Sequence, residues 1–220
     1  CIIEKKKKDL QEYAFKCIEL VYNYNNNYNQ DVFSSCVVQG NAFGGGFESA
    51  LSGNYILVEE SAKFSFPEII FGTFPGMGAY SLLTKKVGYQ KANEIINSGK
   101  TYSANEILEL GIINKVCEDG MGLLFMNNLI TSGEIDKIVN DPFYNICTKV
   151  SKEELIEVVK LWIERAFSLE ESNLARMLKL ANMQKRKAKN NPSNHHINEP
   201  NGNSFNLDNK NDNFFNPPNH

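Results

Sequence analysis

Histidine is missing from the part of this 220-residue chain expected to fold, because His195, His196 and His220 all lie in a polar tail beyond the last helical pattern. That argues against Ser-His-Asp and Cys-His nucleophilic arrangements, and it removes the commonest nitrogen ligand of catalytic metals. Cysteine is scattered: Cys1, Cys17, Cys36, Cys117 and Cys147 are odd in number and include no C-x-x-C pair. Neither a disulfide framework nor a zinc cluster is expected, and a reducing cytoplasm fits best. Charge of one sign is scarce too, at net −3, so nothing marks nucleic acid as a partner. No run reaches the ~18 apolar residues of a membrane span, and the opening CIIEKKKKDL has no signal-peptide core. Any acid/base chemistry must then rest on carboxylates, Tyr, Lys or Cys.

What is present suits one globular domain: 42% hydrophobic and 22% charged residues over this length can bury a sizeable core. The chain begins with Cys and enters a helical pattern almost at once, from which we expect a true start further upstream. From Asp9, the residues Leu10, Tyr13, Ala14, Cys17, Val21 and Tyr24 recur at three- and four-residue intervals and predict a helix. The polar run Asn23 to Gln30 then reads as an exposed loop. Ser34 to Gln39 suits a buried strand leading into Gly44, Gly45 and Gly46, with a short helix from about Phe47.

Tyr55 to Val58 and Lys63 to Phe66 suggest two strands paired with each other and closing at Pro67. Helices follow through Leu82 and Val87 to a stop at Gly88, and again from Gln90 to Asn97. Ser103 with Glu106 is a capping box whose helix stops at Gly111 before a strand Ile112 to Val116. Ser151 with Glu154 opens another helix through Trp162 to Phe167, and a last one starts at Glu170. These patterns divide the chain into a core over 1–146, a helical region over 147–189 and a disordered Asn-rich tail over 190–220.

The chemistry concentrates between Val37 and Tyr80. Three consecutive glycines mark a place where backbone turns sharply or approaches something closely. If a helix starts just after them, its free N–H groups favour negative charge, as an oxyanion requires, with Gly45 the candidate donor. A tight strand-to-helix turn is the plainer reading of GGG alone. Glu48 follows within one turn, and Glu68 follows Pro67 after the strand excursion. Two carboxyl groups returned to one site can act as general acid and base if burial raises a pKa toward neutrality. The plainer alternative makes Glu48 a helix-dipole residue and Glu68 a solvated turn residue. Gly76, after Pro75, can expose an amide or simply start a helix.

The words NAFGGGFESAL, FPEIIFGTFPGMG and SGKTYSANEILELGIINKV resemble the crotonase (enoyl-CoA hydratase/isomerase) superfamily in order, and in the spacings between Glu48, Glu68 and Gly76. PGMGAYSLL, the Phe of GGGFE and VVKLWIERAFSLEESNLARMLKLANMQKR further resemble the diffusible signal factor synthases within it. The resemblance implies an α/β crotonase-like ββα spiral followed by a helical C-terminal region, usually assembled as trimers or dimers of trimers. It implies a thioester oxyanion held by the Gly45 amide of the Gly44–Gly46 turn, Glu48 and Glu68 flanking the α and β carbons, and Gly76 placing water.

The substrate implied is an acyl-CoA or acyl carrier protein thioester, with no metal and no redox cofactor. The narrower family implies dehydration of a 3-hydroxyacyl thioester to the cis-2-enoyl form, then hydrolysis to the free fatty acid. A generic hydratase or isomerase that keeps its thioester, and an inactive crotonase-fold interaction protein, are the alternatives. The resemblance also implies a second oxyanion amide from an N-terminal half, which this chain is expected to lack. The Asn-rich loop and tail have no counterpart in the family.

Phe47, Phe66, Phe71 and Phe74 are candidates for an acyl pocket or for core. Tyr80 and Tyr102 are weighed as tunnel residues and read as core, and Cys36 and Cys117 as small buried apolar residues. Lys5 to Lys8 and Lys185 to Lys189 read as solvated faces, contact with an acidic carrier protein being the minor reading.

Overall fold

The computed structural model describes residues 6–190. Helix α1 (Lys7–Asn25) buries Leu10, Ala14, Ile18 and Val21, a stripe at the spacing that places side chains on one helical face. The polar run is only partly the exposed loop expected: Tyr28, Asn29 and Gln30 are exposed, but its first half is not. Asn25 and Asn27 are only 4% and 9% exposed, and Asn27, Tyr28 and Asn29 hold φ between +52° and +56°. Asn tolerates this left-handed region because its short side chain can bond locally. Here the side chains reach further: Asn54 Nδ2 donates to Asn27 Oδ1 at 2.8 Å and to Asn25 O at 3.0 Å.

Strand β1 (Ser35–Val38), the short β2 (Ala42–Phe43) and helix α2 (Gly45–Leu51) come next, then β3 (Tyr55–Glu59) and β4 (Lys63–Ser65). The expected pairing of β3 with β4 does not occur. β3 is the centre of a parallel sheet between β1 and β6 (Lys115–Cys117), whereas β4 lies parallel to β2 and antiparallel to β5 (Tyr102–Ser103) in a second sheet. Every residue of β3 is buried. Ile56 and Val58 face the main core, while Tyr55 and Leu57 face a second cluster with Met126, Leu129 and Ile135. A strand covered on both faces reads as a continuous apolar run and belongs in mid-sheet, so a hairpin edge could not satisfy it.

Pro67–Phe71 forms a 3-10 turn, followed by α3 (Ala79–Val87) and α4 (Tyr89–Ser98), separated by Gly88 at φ +77°. The capping box ahead of α5 (Ala104–Glu109) forms in both directions, with Glu106 N to Ser103 Oγ at 3.3 Å and Ser103 N to Glu106 Oε2 at 2.8 Å. The strand expected from Ile112 starts only at Lys115, since Ile112 and Ile113 plug the core from a turn. Helices α6 (Gly122–Thr131), α7 (Asp136–Val139) and α8 (Pro142–Thr148) were not expected from sequence pattern. Helix α9 (Lys152–Phe167), capped by Ser151, packs along α1 through Leu155, Val159, Ile163 and Ala166. Helix α10 (Glu171–Asn190) ends the described residues. Residues up to Ala181 belong to one compact unit. The tail assigned as disordered lies, beyond Asn190, outside the described residues, as does Lys5.

Candidate active site

The site is assembled around the glycine turn. Gly44 N donates to Ser65 O at 2.9 Å, which ties the turn to the end of β4. Gly44 sits at φ +53°, ψ −124°, a conformation that only glycine adopts readily. Space imposes the same choice, because a Cβ at Gly44 would lie 2.3 Å from Glu68 Oε1. The Gly44 carbonyl accepts from Phe47 N and Glu48 N at 2.9 and 3.0 Å, so α2 begins at once. The N–H groups of Gly45 and Gly46, ahead of those donors, have no helical carbonyl to reach.

Glu48, in the first turn of α2, is 2% exposed. Its Oε1 accepts from Met77 N at 2.7 Å and Ala79 N at 3.1 Å, which locks the carboxyl to the start of α3. Burial pushes its pKa up to about 8; the Ala79 amide opposes this, the negative charge of Glu68 adds to it, and the Met77 and Gly78 amides oppose it again. Glu68, from the 3-10 turn, is also raised, by burial first, against the hydrogen bond from its own backbone N–H. Its Oε2 is buried and has no hydrogen-bond partner among the described residues. Glu68, with Oε2 buried, is not the solvated turn residue of the plainer reading, and Glu48, although in the first turn of α2, is turned into the interior.

Gly45, Glu48, Glu68 and Gly76 line one cavity of about 190 Å³ together with Met77. Its remaining wall comes from two helices, Tyr13, Ala14 and Cys17 of α1 and Val159 and Trp162 of α9. A Cβ at Gly76 would fall 2.3 Å from the Trp162 ring, so this glycine is bare because the indole lies on it. Gly44 stands behind the Glu68 carboxyl. Phe47 and Phe66 stack at 4.8 Å in the core, each 1% exposed, instead of lining the cavity. Tyr80 packs edge-on against Phe74 and receives a bond from Asn97, and Tyr102 is core. Cys117 is buried in the second cluster, and Cys36 packs on the main core.

Sequence reasoning missed the helical wall. Tyr13, Ala14 and Cys17 were visible as an apolar stripe, and Trp162 as the chain's one tryptophan, but nothing local says that α1 and α9 converge on the glutamates. A separate polar depression holds Lys91, Glu94, Lys100 and Glu106, whose charges are spent on one another at 2.8 and 2.7 Å. No helix among the described residues is long and apolar enough to cross a membrane.

The model of the enoyl-CoA hydratase/isomerase family matches residues 4–125. The chain belongs to that family. Among curated hydratase relatives, the mitochondrial enoyl-CoA hydratase of Pongo abelii is 41% identical over 80 residues, 36% of this chain and 28% of that protein. The carnitinyl-CoA dehydratase of Salmonella paratyphi A is 42% identical over 79 residues, 36% of this chain and 30% of that one. The matched stretch therefore spans less than a third of either relative. The solved enoyl-CoA hydratase of Bacillus halodurans superposes with a TM-score of 0.64 at 22% identity, over 82% of this chain and 72% of that one. The enoyl-CoA hydratase/isomerase of Cupriavidus metallidurans gives 0.53 at 23%, over 78% and 65%. These likenesses establish the α/β crotonase fold for this hydratase/isomerase family member.

Proposed function

We propose that the Glu48–Glu68 cavity interconverts 3-hydroxyacyl and 2-enoyl thioesters by removing or adding water. What supports this reading above all is that two raised carboxyl groups meet beside the Gly45 amide in one largely apolar cavity. In the dehydration direction, Glu48, the more strongly raised, holds a proton below about pH 8 and delivers it to the leaving hydroxyl. Glu68, with Oε2 unpaired, takes the α proton. The charge that develops on the thioester oxygen falls to the Gly45 N–H, a kind of donor worth ~10²–10³ in rate. Chemistry of this kind uses the chain's own groups and no metal.

The substrate is an acyl-CoA or an acyl carrier protein thioester, and the enzyme works as an oligomer. Hydrolysis of the enoyl thioester to a free unsaturated acid, as in diffusible signal factor synthesis, is the extension of this reading. In its favour, Met77 and Trp162 belong to the words that carry the narrower resemblance, and both line the cavity.

The test follows the enoyl thioester spectroscopically and the free acid by mass spectrometry, using the full chain with 3-hydroxyacyl thioesters of graded length. Turnover that disappears in Glu48→Gln and in Glu68→Gln supports the reading. Near-normal turnover in both variants, or none in the unmodified chain, sinks it. Free acid accumulating without enoyl thioester distinguishes the hydrolytic extension.

A further inference from the structure

We infer that Cys17 is a nucleophilic site for α,β-unsaturated acyl thioesters, adding its sulfur to the β carbon of an enoyl group held between Glu48 and Glu68. The inference rests on the proposed function and adds to it a covalent reaction of a residue that takes no part in hydration. Two observations carry it.

First, the Cys17 side chain lines the same cavity as both glutamates, and that cavity, at about 190 Å³, has room for little more than the reacting end of a thioester. Anything bound against the carboxyl groups is therefore also bound against the thiol. Second, Glu68, which lines that cavity, has its Oε2 buried without a hydrogen-bond partner among the described residues, so an acceptor for the thiol proton is already in place.

The reaction is the sulfur counterpart of hydration, with Cys17 Sγ in place of water. The S–H proton passes to the Glu68 carboxylate, and sulfur bonds to the β carbon. The π pair moves onto the thioester as an enolate beside the Gly45 amide, and Glu68 returns the proton to the α carbon. One S–H bond and one C–C π bond are lost, one S–C bond and one C–H bond are gained, and no oxidant or reductant enters. Reversal is elimination, the same chemistry that the two glutamates carry out on a hydroxyl group.

The other described cysteines supply internal controls. Cys36 and Cys117 are held up in pKa by burial and lie outside the cavity, while Cys147 is exposed. By access alone Cys147 should react first.

The experiment incubates the full chain with crotonyl-CoA or with butyryl-CoA, its saturated counterpart, then caps the remaining thiols with iodoacetamide and maps peptides by mass. The expected result is a crotonyl-CoA adduct on Cys17 forming at least about tenfold faster than on Cys147, slowed in Glu68→Gln, with no adduct from butyryl-CoA. No adduct on Cys17, or one no faster than on Cys147, overturns the inference. If butyryl-CoA still shields Cys17 from iodoacetamide in that case, acyl-thioester binding in the cavity survives and only the covalent step falls. If it does not shield Cys17, the proposed function falls with it.

Discussion

Two of the buried polar clusters among the described residues are satisfied to very different degrees. Around Asn54, 2% exposed, almost every group has a partner. Asn54 Nδ2 reaches Asn25 O, Asn27 Oδ1 and Ser34 Oγ, its Oδ1 accepts from Lys149 Nζ at 2.5 Å, and its carbonyl accepts from Tyr144 Oη. Asn25 Oδ1 in turn accepts from Val150 N at 3.1 Å, which ties the end of α1 to the start of α9. Around Glu48 and Glu68, by contrast, two carboxyl groups share a cavity that no cation lines among the described residues, and one oxygen has no hydrogen-bond partner among them. Buried polar groups are normally satisfied because an orphan costs about 1–3 kcal/mol. The first cluster follows that rule and fixes where chain segments meet; the second breaks it where a ligand would complete it.

The contrast can be broken most directly by neutralising the carboxyls. Glu48→Gln and Glu68→Gln should each lower dehydratase kcat by about 10³-fold, within the span general acid–base groups supply, while leaving the unfolding midpoint unchanged or raised. Steady-state kinetics beside urea unfolding measures both. Asn54→Ala should do the reverse, costing about 3 kcal/mol of stability by orphaning several buried groups at once and leaving kcat of the folded protein within about twofold. If Asn54→Ala were as harmful to kcat as Glu48→Gln, the division between the two clusters would collapse.

Gly44→Ala should cost about 2 kcal/mol, because alanine is strained at this φ and ψ, and should also displace the Glu68 carboxyl and lower kcat. Gly46→Ala, where a Cβ meets nothing within 4 Å, is its control and should be near neutral for activity.

The smallest effect per unit is a pH slope. Glu48 has a folded pKa of about 8 against an ordinary 4.5, so the folded state binds more protons than the unfolded state between those values. The stability contribution of Glu48 is thus complete below 4.5 and is lost as pH rises toward about 8, at up to about 1.4 kcal/mol per pH unit. Denaturant unfolding of the parent chain and Glu48→Gln across that window should show a slope in the parent that the variant lacks. Parallel curves would place the ionised form of Glu48 in the fold at neutral pH.

Local physics made some of these features legible in the sequence. The α1 stripe, the Ser103–Glu106 box, the Gly88 stop and the glycine turn before Glu48 depend on residues within a turn or two of one another. The pairing partners of β3 and β4 do not, since Glu59 to Ser61 can connect two sheets as well as reverse a hairpin, and only burial on both faces of β3 decides the matter. Asn25 and Asn27, at and just after the end of α1, misled for a similar reason. Asn is usually solvated, and the partners that make burial tolerable, Ser34, Asn54 and Val150, lie up to 125 positions away.

The sequence by itself determined which groups were available to do chemistry: two glutamates at fixed spacing from a glycine turn, with every histidine set apart in a polar tail. Only the tertiary structure decided that Glu48 and one oxygen of Glu68 are withdrawn from water, that α1 and α9 help line the cavity beside them, and that Cys17 and Tyr13 line the same space. Residue type and local spacing set what a side chain can do. Desolvation and long-range packing set its proton affinity and its neighbours, and both come from segments that meet only when the chain folds.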